Sequence, residues 1–196
     1  MVETEKALLE PPPGLRLRPS AFTRLISTLY LRIGGWCFEG RFPEQVKFVI
    51  VVAPHSSNWD FALGLAVKFV LGLKVSWLGK HTLFKAPFGN LLRRLGGIPV
   101  NRSSPHGVVG DCVQAFGEHA EMMLALAPEG TRKASRTWRS GFYQIAVGAG
   151  VPILPVGFDY GQHVVRFFPV FQPSGNFETD LALLKEIFRE VKPLKA

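Results

Sequence analysis

Cysteine, long apolar runs and, over one central stretch, acidic residues are what this chain has least of. Cys37 and Cys112 are its only two cysteines. They are too few for a disulfide framework and lack metal-ligand spacing, so both read as small buried hydrophobes in a reducing compartment. The longest apolar run, Phe61 to Leu73, is interrupted by Lys68. It falls short of the roughly 20 apolar residues a bilayer span needs, so no transmembrane helix is expected. The N-terminus is acidic and polar and runs into Pro11-Pro12-Pro13, unlike a secretory signal. Between Asp60 and Asp111 no acidic residue occurs, while Lys68, Lys74, Lys80, Lys85, Arg93, Arg94 and Arg102 all fall there. Those cations read either as a solvated face spread over several elements or as a positive surface beside a site.

What is present is a chain of 196 residues, 47% hydrophobic, with 16 phenylalanines and a formal net charge of +8. The length suits one domain with a sizeable core. The charge points to anionic partners: nucleic acid, membrane lipid or phosphorylated ligands. Nucleic acid is the weakest of these. The basic residues are dispersed, no familiar binding module is visible, and the aromatic residues sit in apolar runs rather than between charges.

Residues 1–20 read as a flexible arm, and residues 21–196 as a single domain. Ser20 opens a helix expected over about 21–37. Phe22, Leu25, Ile26, Leu29, Tyr30, Ile33 and Trp36 recur at spacings of three and four, an apolar stripe flanked by Arg24 and Arg32. Such a stripe faces a core or lies on lipid, where Trp and Arg also suit the boundary. Val46 to Ala53 reads as a buried strand. A helix over 59–71, a strand over 75–78, helical structure over 82–95 around Pro87 and a short extended piece over 98–100 follow. Then come a helix over 108–119, a strand over 122–127, a basic loop over 128–140 and a helix over 141–147. Strands over 153–158 and 164–168 and a C-terminal helix over 178–191 close the chain. Strands and helices mostly alternate, which predicts an α/β fold with a largely parallel sheet flanked by helices and an N-terminal amphipathic helix.

Four segments carry chemistry. In the first, His55 and Asp60 lie five apart between a strand and a helix. Along one helix, five residues turn the chain by about 500°, leaving the two about 140° apart. They converge only if His55 sits on the strand-to-helix turn and Asp60 in the first helical turn, and Ser56, Ser57 and Asn58 are all good N-cap residues. A carboxylate holding one imidazole nitrogen leaves the other free to take a proton from a hydroxyl. The plain alternative is a polar cap with an incidental histidine. The second, Ala127-Pro128-Glu129-Gly130-Thr131-Arg132, sits where a strand ends, the usual place for sites in open α/β sheets. Its glycine permits close approach, its threonine offers a hydroxyl, and Arg132 presents a fork suited to phosphate. The third, Gly96 to Arg102, is a glycine turn and short strand delivering one arginine. The fourth, Val151-Pro152-Ile153-Leu154-Pro155-Val156, is an apolar strand whose prolines suit an edge or a strand start.

Taken together and in order, these segments resemble the four sequence blocks of the glycerolipid and lysophospholipid acyltransferase family, which includes 1-acylglycerol-3-phosphate acyltransferases. His55 and Asp60 match its H-x4-D block, and Gly97 to Arg102 its second block. Glu129-Gly130-Thr131-Arg132 matches E-G-T-R, and Val151 to Val156 the proline-containing fourth. The resemblance covers about residues 46–160. It implies a glycerol-phosphate acyltransferase-like fold and transfer of a fatty acyl group from a coenzyme A or acyl-carrier-protein thioester to a lysophospholipid hydroxyl. In that picture His55 is the general base and Asp60 orients it. Arg102 and Arg132 grip the acceptor phosphate, with Glu129, Gly130 and Thr131 shaping the pocket. No nucleophile in a Gly-x-Ser-x-Gly elbow is needed or present, and no metal or bound cofactor is implied, the five histidines being scattered. The acceptor expected first is 1-acylglycerol 3-phosphate, for phospholipid biosynthesis on the cytoplasmic face of an anionic membrane. Another lysophospholipid, glycerol 3-phosphate or an amino-lipid would fit the same chemistry. A non-catalytic basic lipid-binding protein is the alternative from another class. Pro54 stands where many members have Asn, and Val100 where many have an aromatic residue.

Overall fold

The computed structural model describes residues 9–55, 57–85, 87–100, 107–129 and 138–194. Seven strands of these residues form one sheet: β1 (Cys37–Gly40), β2 (Lys47–Ala53), β3 (Val75–Lys80), β4 (Gly97–Val100), β5 (Met122–Leu126), β6 (Ile153–Asp159) and β7 (Val164–Phe167). Their order is β1-β7-β6-β2-β5-β3-β4. Every neighbouring pair is parallel except β6 and β7. Six α-helices accompany them: α1 (Ala21–Ile33), α2 (Trp59–Leu71), α3 (Gly89–Arg94), α4 (Gly107–Glu118), α5 (Gly141–Ala149) and α6 (Phe177–Ile187).

The alternation of side chains along β2 builds the layers. Phe48 and Ile50 point to one face and join Leu31, Leu63 and Val67 of α1 and α2. Val49, Val51 and Ala53 point to the other and join Phe116, Phe142, Ile145 and Leu184 of α4, α5 and α6. A strand buried on both faces reads as a continuous apolar run, which is why Phe48 to Ala53 shows no polar alternation. The expected α/β class and largely parallel sheet are thus observed.

Several local expectations shift. The helix expected to run to Cys37 ends at Ile33, where Gly34 and Gly35 turn the chain, Gly35 at φ 67°. The freed residues after it form β1, whose pairing with β7 is non-local and has no periodic signature. The helical stretch around Pro87 splits into a 3-10 turn, His81–Phe84, and α3. Part of the expected arm is packed. Leu9 and Leu15 are buried, Leu17 N–H donates to Gly72 O at 2.7 Å and Lys74 N–H to Leu15 O at 2.8 Å. Pro155 is not on an edge. It lies within β6, between β7 and β2. Its carbonyl accepts from Phe168 N–H, and Ile153 exchanges hydrogen bonds with Phe171. The ring therefore fills the gap between the β7 ladder and that outlying bridge, where its missing N–H breaks no ladder bond.

The stripe on α1 resolves against the core. Ser27 and Leu31 are its buried residues, while Phe22, Leu25, Ile26, Leu29 and Ile33 are exposed, Ile33 at 81%. No helix among the described residues is long and apolar enough to cross a membrane.

Candidate functional site

Because β2, β5 and β6 run parallel, their carboxyl ends share one edge of the sheet, where open α/β folds gather ligands. His55 follows β2 by two residues, Glu129 follows β5 by three, and Tyr160 directly follows β6. Asp60 occupies the first turn of α2.

The turn into α2 is closed by its own polar groups. Ser57 Oγ accepts from Trp59 N–H at 3.2 Å, and Asn58 makes no side-chain cap. Asp60 folds back over the turn, and its Oδ2 accepts from Ser57 N–H at 2.8 Å. The same oxygen meets His55 Nδ1 at 3.0 Å. The pair converges across the turn, as the five-residue spacing requires. Asp60 is sealed, its side chain 1% exposed, whereas the His55 ring is 22% exposed. Tyr160 OH donates to the other oxygen, Oδ1, at 2.7 Å.

These contacts set the electrostatics. Burial alone pushes the Asp60 carboxyl up, but hydrogen bonds from His55, Ser57 N–H and Tyr160 outweigh it, and the net direction is down. Asp60 is therefore an anion. Burial and then the Asp60 charge push the Tyr160 hydroxyl up, keeping it a donor. Burial and the same charge also raise Tyr30 on α1, which places the end of that helix within reach of the site's field.

Glu129 is buried, and burial pushes its carboxyl up. Its Oε1 accepts His55 N–H at 3.2 Å, tying the end of β5 to the turn that carries the histidine. Its Oε2 is buried and has no hydrogen-bond partner among the described residues. Of the residues anticipated from sequence, the fold thus brings His55, Asp60 and Glu129 together. Arg102, Gly130, Thr131 and Arg132 lie outside the described residues.

Tyr160 was not anticipated. It is 100 positions from Asp60, and its sole sequence signal is its place just after a strand whose parallel neighbour also ends at the site. Trp36 backs it, meeting the Tyr160 ring edge-on at 4.9 Å between centroids. On the outer side, Trp59 and Phe61 flank Asp60 and are exposed. Phe61 packs edge-on against Trp77.

Known proteins resemble this chain in sequence and in fold. In sequence, the chain is 30% identical over 142 residues to a 1-acyl-sn-glycerol-3-phosphate acyltransferase of Escherichia coli, covering 69% of this chain and 56% of that protein. It is 32% identical over 142 residues to the protein of the same name from Salmonella typhimurium, with the same two coverages. The chain thus spans about half the length of the curated relatives it matches. In fold, it is similar to the crystal structure of the 1-acyl-sn-glycerophosphate acyltransferase PlsC from Thermotoga maritima. The TM-score is 0.64 at 21% identity, covering 89% of this chain and 79% of that one. The acyltransferase family model matches residues 38–159, a span that holds His55, Asp60 and Glu129. By that match over more than half its length, with the paired histidine and aspartate at the sheet's carboxyl edge, the chain belongs to the acyltransferase family.

Proposed function

We propose that the protein is an O-acyltransferase that moves a fatty acyl group from a coenzyme A or acyl-carrier-protein thioester to the hydroxyl of a lysophospholipid. The observation that carries this reading is the 3.0 Å contact between His55 Nδ1 and a sealed Asp60 carboxylate. An imidazole held that way presents Nε2 as a base. Nε2 takes the proton of the acceptor hydroxyl as its oxygen adds to the thioester carbonyl. The tetrahedral intermediate collapses, the carbon–sulfur bond breaks, and the thiolate takes the proton back from the imidazolium. An ester and a free thiol result, and Asp60 stabilises the imidazolium meanwhile. The reaction calls for no metal and no bound cofactor, because the thioester is itself a substrate.

The leading acceptor is 1-acylglycerol 3-phosphate, since both sequence relatives carry that substrate in their names. Arg102 and Arg132 are assigned to its phosphate, with Gly130, Thr131 and Glu129 around them. The exposed apolar stripe of α1 and the net charge of +8 favour peripheral attachment to the cytoplasmic face of an anionic membrane, where such an acceptor resides.

The test is purified protein with acyl-CoA and a panel of lysolipids, following thiol release and scoring products by mass spectrometry. His55→Ala is expected to abolish turnover with the fold intact, and Arg132→Ala to raise the acceptor KM. Equal rates for wild type and His55→Ala would sink the mechanism. A KM unchanged by Arg132→Ala for every phosphorylated acceptor would reject the arginine's role.

A further inference from the structure

We propose that Tyr160 is a positioning residue for the catalytic base, acting on His55 through the Asp60 carboxylate. The inference rests on the reading of His55 and Asp60 given above. Asp60 Oδ2 takes Ser57 N–H and His55 Nδ1, two donors from the same short turn. Both tie the carboxylate to the turn that carries the histidine. The hydroxyl on Oδ1, at 2.7 Å and delivered from the end of β6, holds the other oxygen to the sheet and so resists swinging of the carboxylate. It therefore aims the Oδ2 lone pair at Nδ1.

The tyrosine is itself braced. Its backbone N–H donates to Lys192 O at 2.9 Å. Its ring lies at 88° to Trp36, and Trp36 stacks on His163 at 5.4 Å. Its hydroxyl faces a carboxylate rather than the open side of the site, so the residue serves the chemistry without touching substrate. Because Asp60 is sealed, a bulk water cannot take over the hydroxyl's place without repacking.

Tyr160→Phe keeps the ring and removes one oxygen. It is expected to lower kcat about tenfold, the order for one hydrogen bond to a charged group. The KM of acyl-CoA and of lysophosphatidic acid should stay within about twofold. In an Asp60→Ala background the same change should cost nothing further, because a residue acting through the Asp60 side chain has lost its target. The low-field imidazole N–H resonance, identified by its loss in His55→Ala, should shift in Tyr160→Phe. A full kcat, a raised KM alone, an equal loss in both backgrounds or an unmoved resonance would each overturn the proposal. Should Tyr160→Phe not fold, fluorotyrosine labelling of the three tyrosines keeps every hydroxyl. The Tyr160 fluorine signal should then move between wild type and Asp60→Asn, and a static signal overturns the idea. If His55→Ala is fully active, the base assignment itself falls. If Asp60→Asn is impaired while Tyr160→Phe is not, only the positioning role falls.

Discussion

Replacing Asp60 by asparagine separates two things a carboxylate does for a histidine, fixing its tautomer and stabilising its charge. The amide can sit two ways. With its NH2 at the Oδ2 position it would face Ser57 N–H, a backbone donor that cannot rotate away, now 2.8 Å from that site. With its carbonyl there it accepts from Ser57 and His55 as the aspartate does, and its NH2 faces the Tyr160 oxygen, which can turn its hydrogen away. The second orientation wins because a hydroxyl adapts and a backbone amide does not. Nδ1 then keeps its proton, Nε2 stays the base, and only the charge is lost. Two unit charges about 4 Å apart at an effective dielectric of about 20 interact by about 4 kcal/mol. At 1.4 kcal/mol per tenfold, kcat is expected to fall about 10²- to 10³-fold. Reversal of the tautomer, as measured in Ser-His-Asp triads, costs about 10⁴. The assay is steady-state thiol release from acyl-CoA with lysophosphatidic acid, with His55→Ala as the floor. Wild-type kcat in Asp60→Asn would refute the charge-stabilising role. A loss of about 10⁴ would refute the argument that Ser57 dictates the amide's orientation.

Two further perturbations test the rest of the molecule. Burial pushes the Lys68 ammonium down to about 8 from 10.5, while its Nζ donates to Val75 O and Leu95 O. Between those values the unfolded chain holds a proton that the native chain has shed, so stability rises with pH across the window. From about pH 7 to about pH 9 the gain is about 1 kcal/mol, or about 2–4 °C in Tm. Calorimetry of Lys68→Met should show that slope gone, and an unchanged slope rejects the assignment. Cys112, pushed up to about 11, carries the opposite sign above its ordinary value, so the comparison ends near there. On the surface, Phe22→Ser with Leu25→Ser and Leu29→Ser should weaken sedimentation with anionic vesicles at least about tenfold, at unchanged Tm, because each exposed side chain forfeits apolar burial in lipid. Added salt should weaken wild-type binding. Equal sedimentation of the triple variant removes α1 from the contact.

Much of the architecture was legible because its causes are local. The unbroken β-branched run of β2 means burial on both faces, and the helix expected over 59–71 is α2 to the residue. The five-residue spacing of His55 and Asp60 admits convergence in one geometry, across a capped turn, and that geometry is observed. The order of four short blocks pointed to the family because each block needs its neighbours to be meaningful.

What the chain could not announce is what depends on distant partners. An apolar stripe of period 3.6 is the same string whether it faces a core or solvent. Only the packing of α1 on α2 through Ser27 and Leu31 leaves Phe22, Leu25 and Ile33 outside. Pro155 reads as an edge residue until the break between β7 and Phe171 supplies the gap it occupies. Glu129 carries no local sign that its carboxylate will hold the His55 amide, 74 positions away. Sequence alone determined the histidine–aspartate pair, because their contact is made within one turn. Tertiary structure alone decided how that pair is held, because Tyr160 reaches Asp60 only once β6 lies parallel to β2.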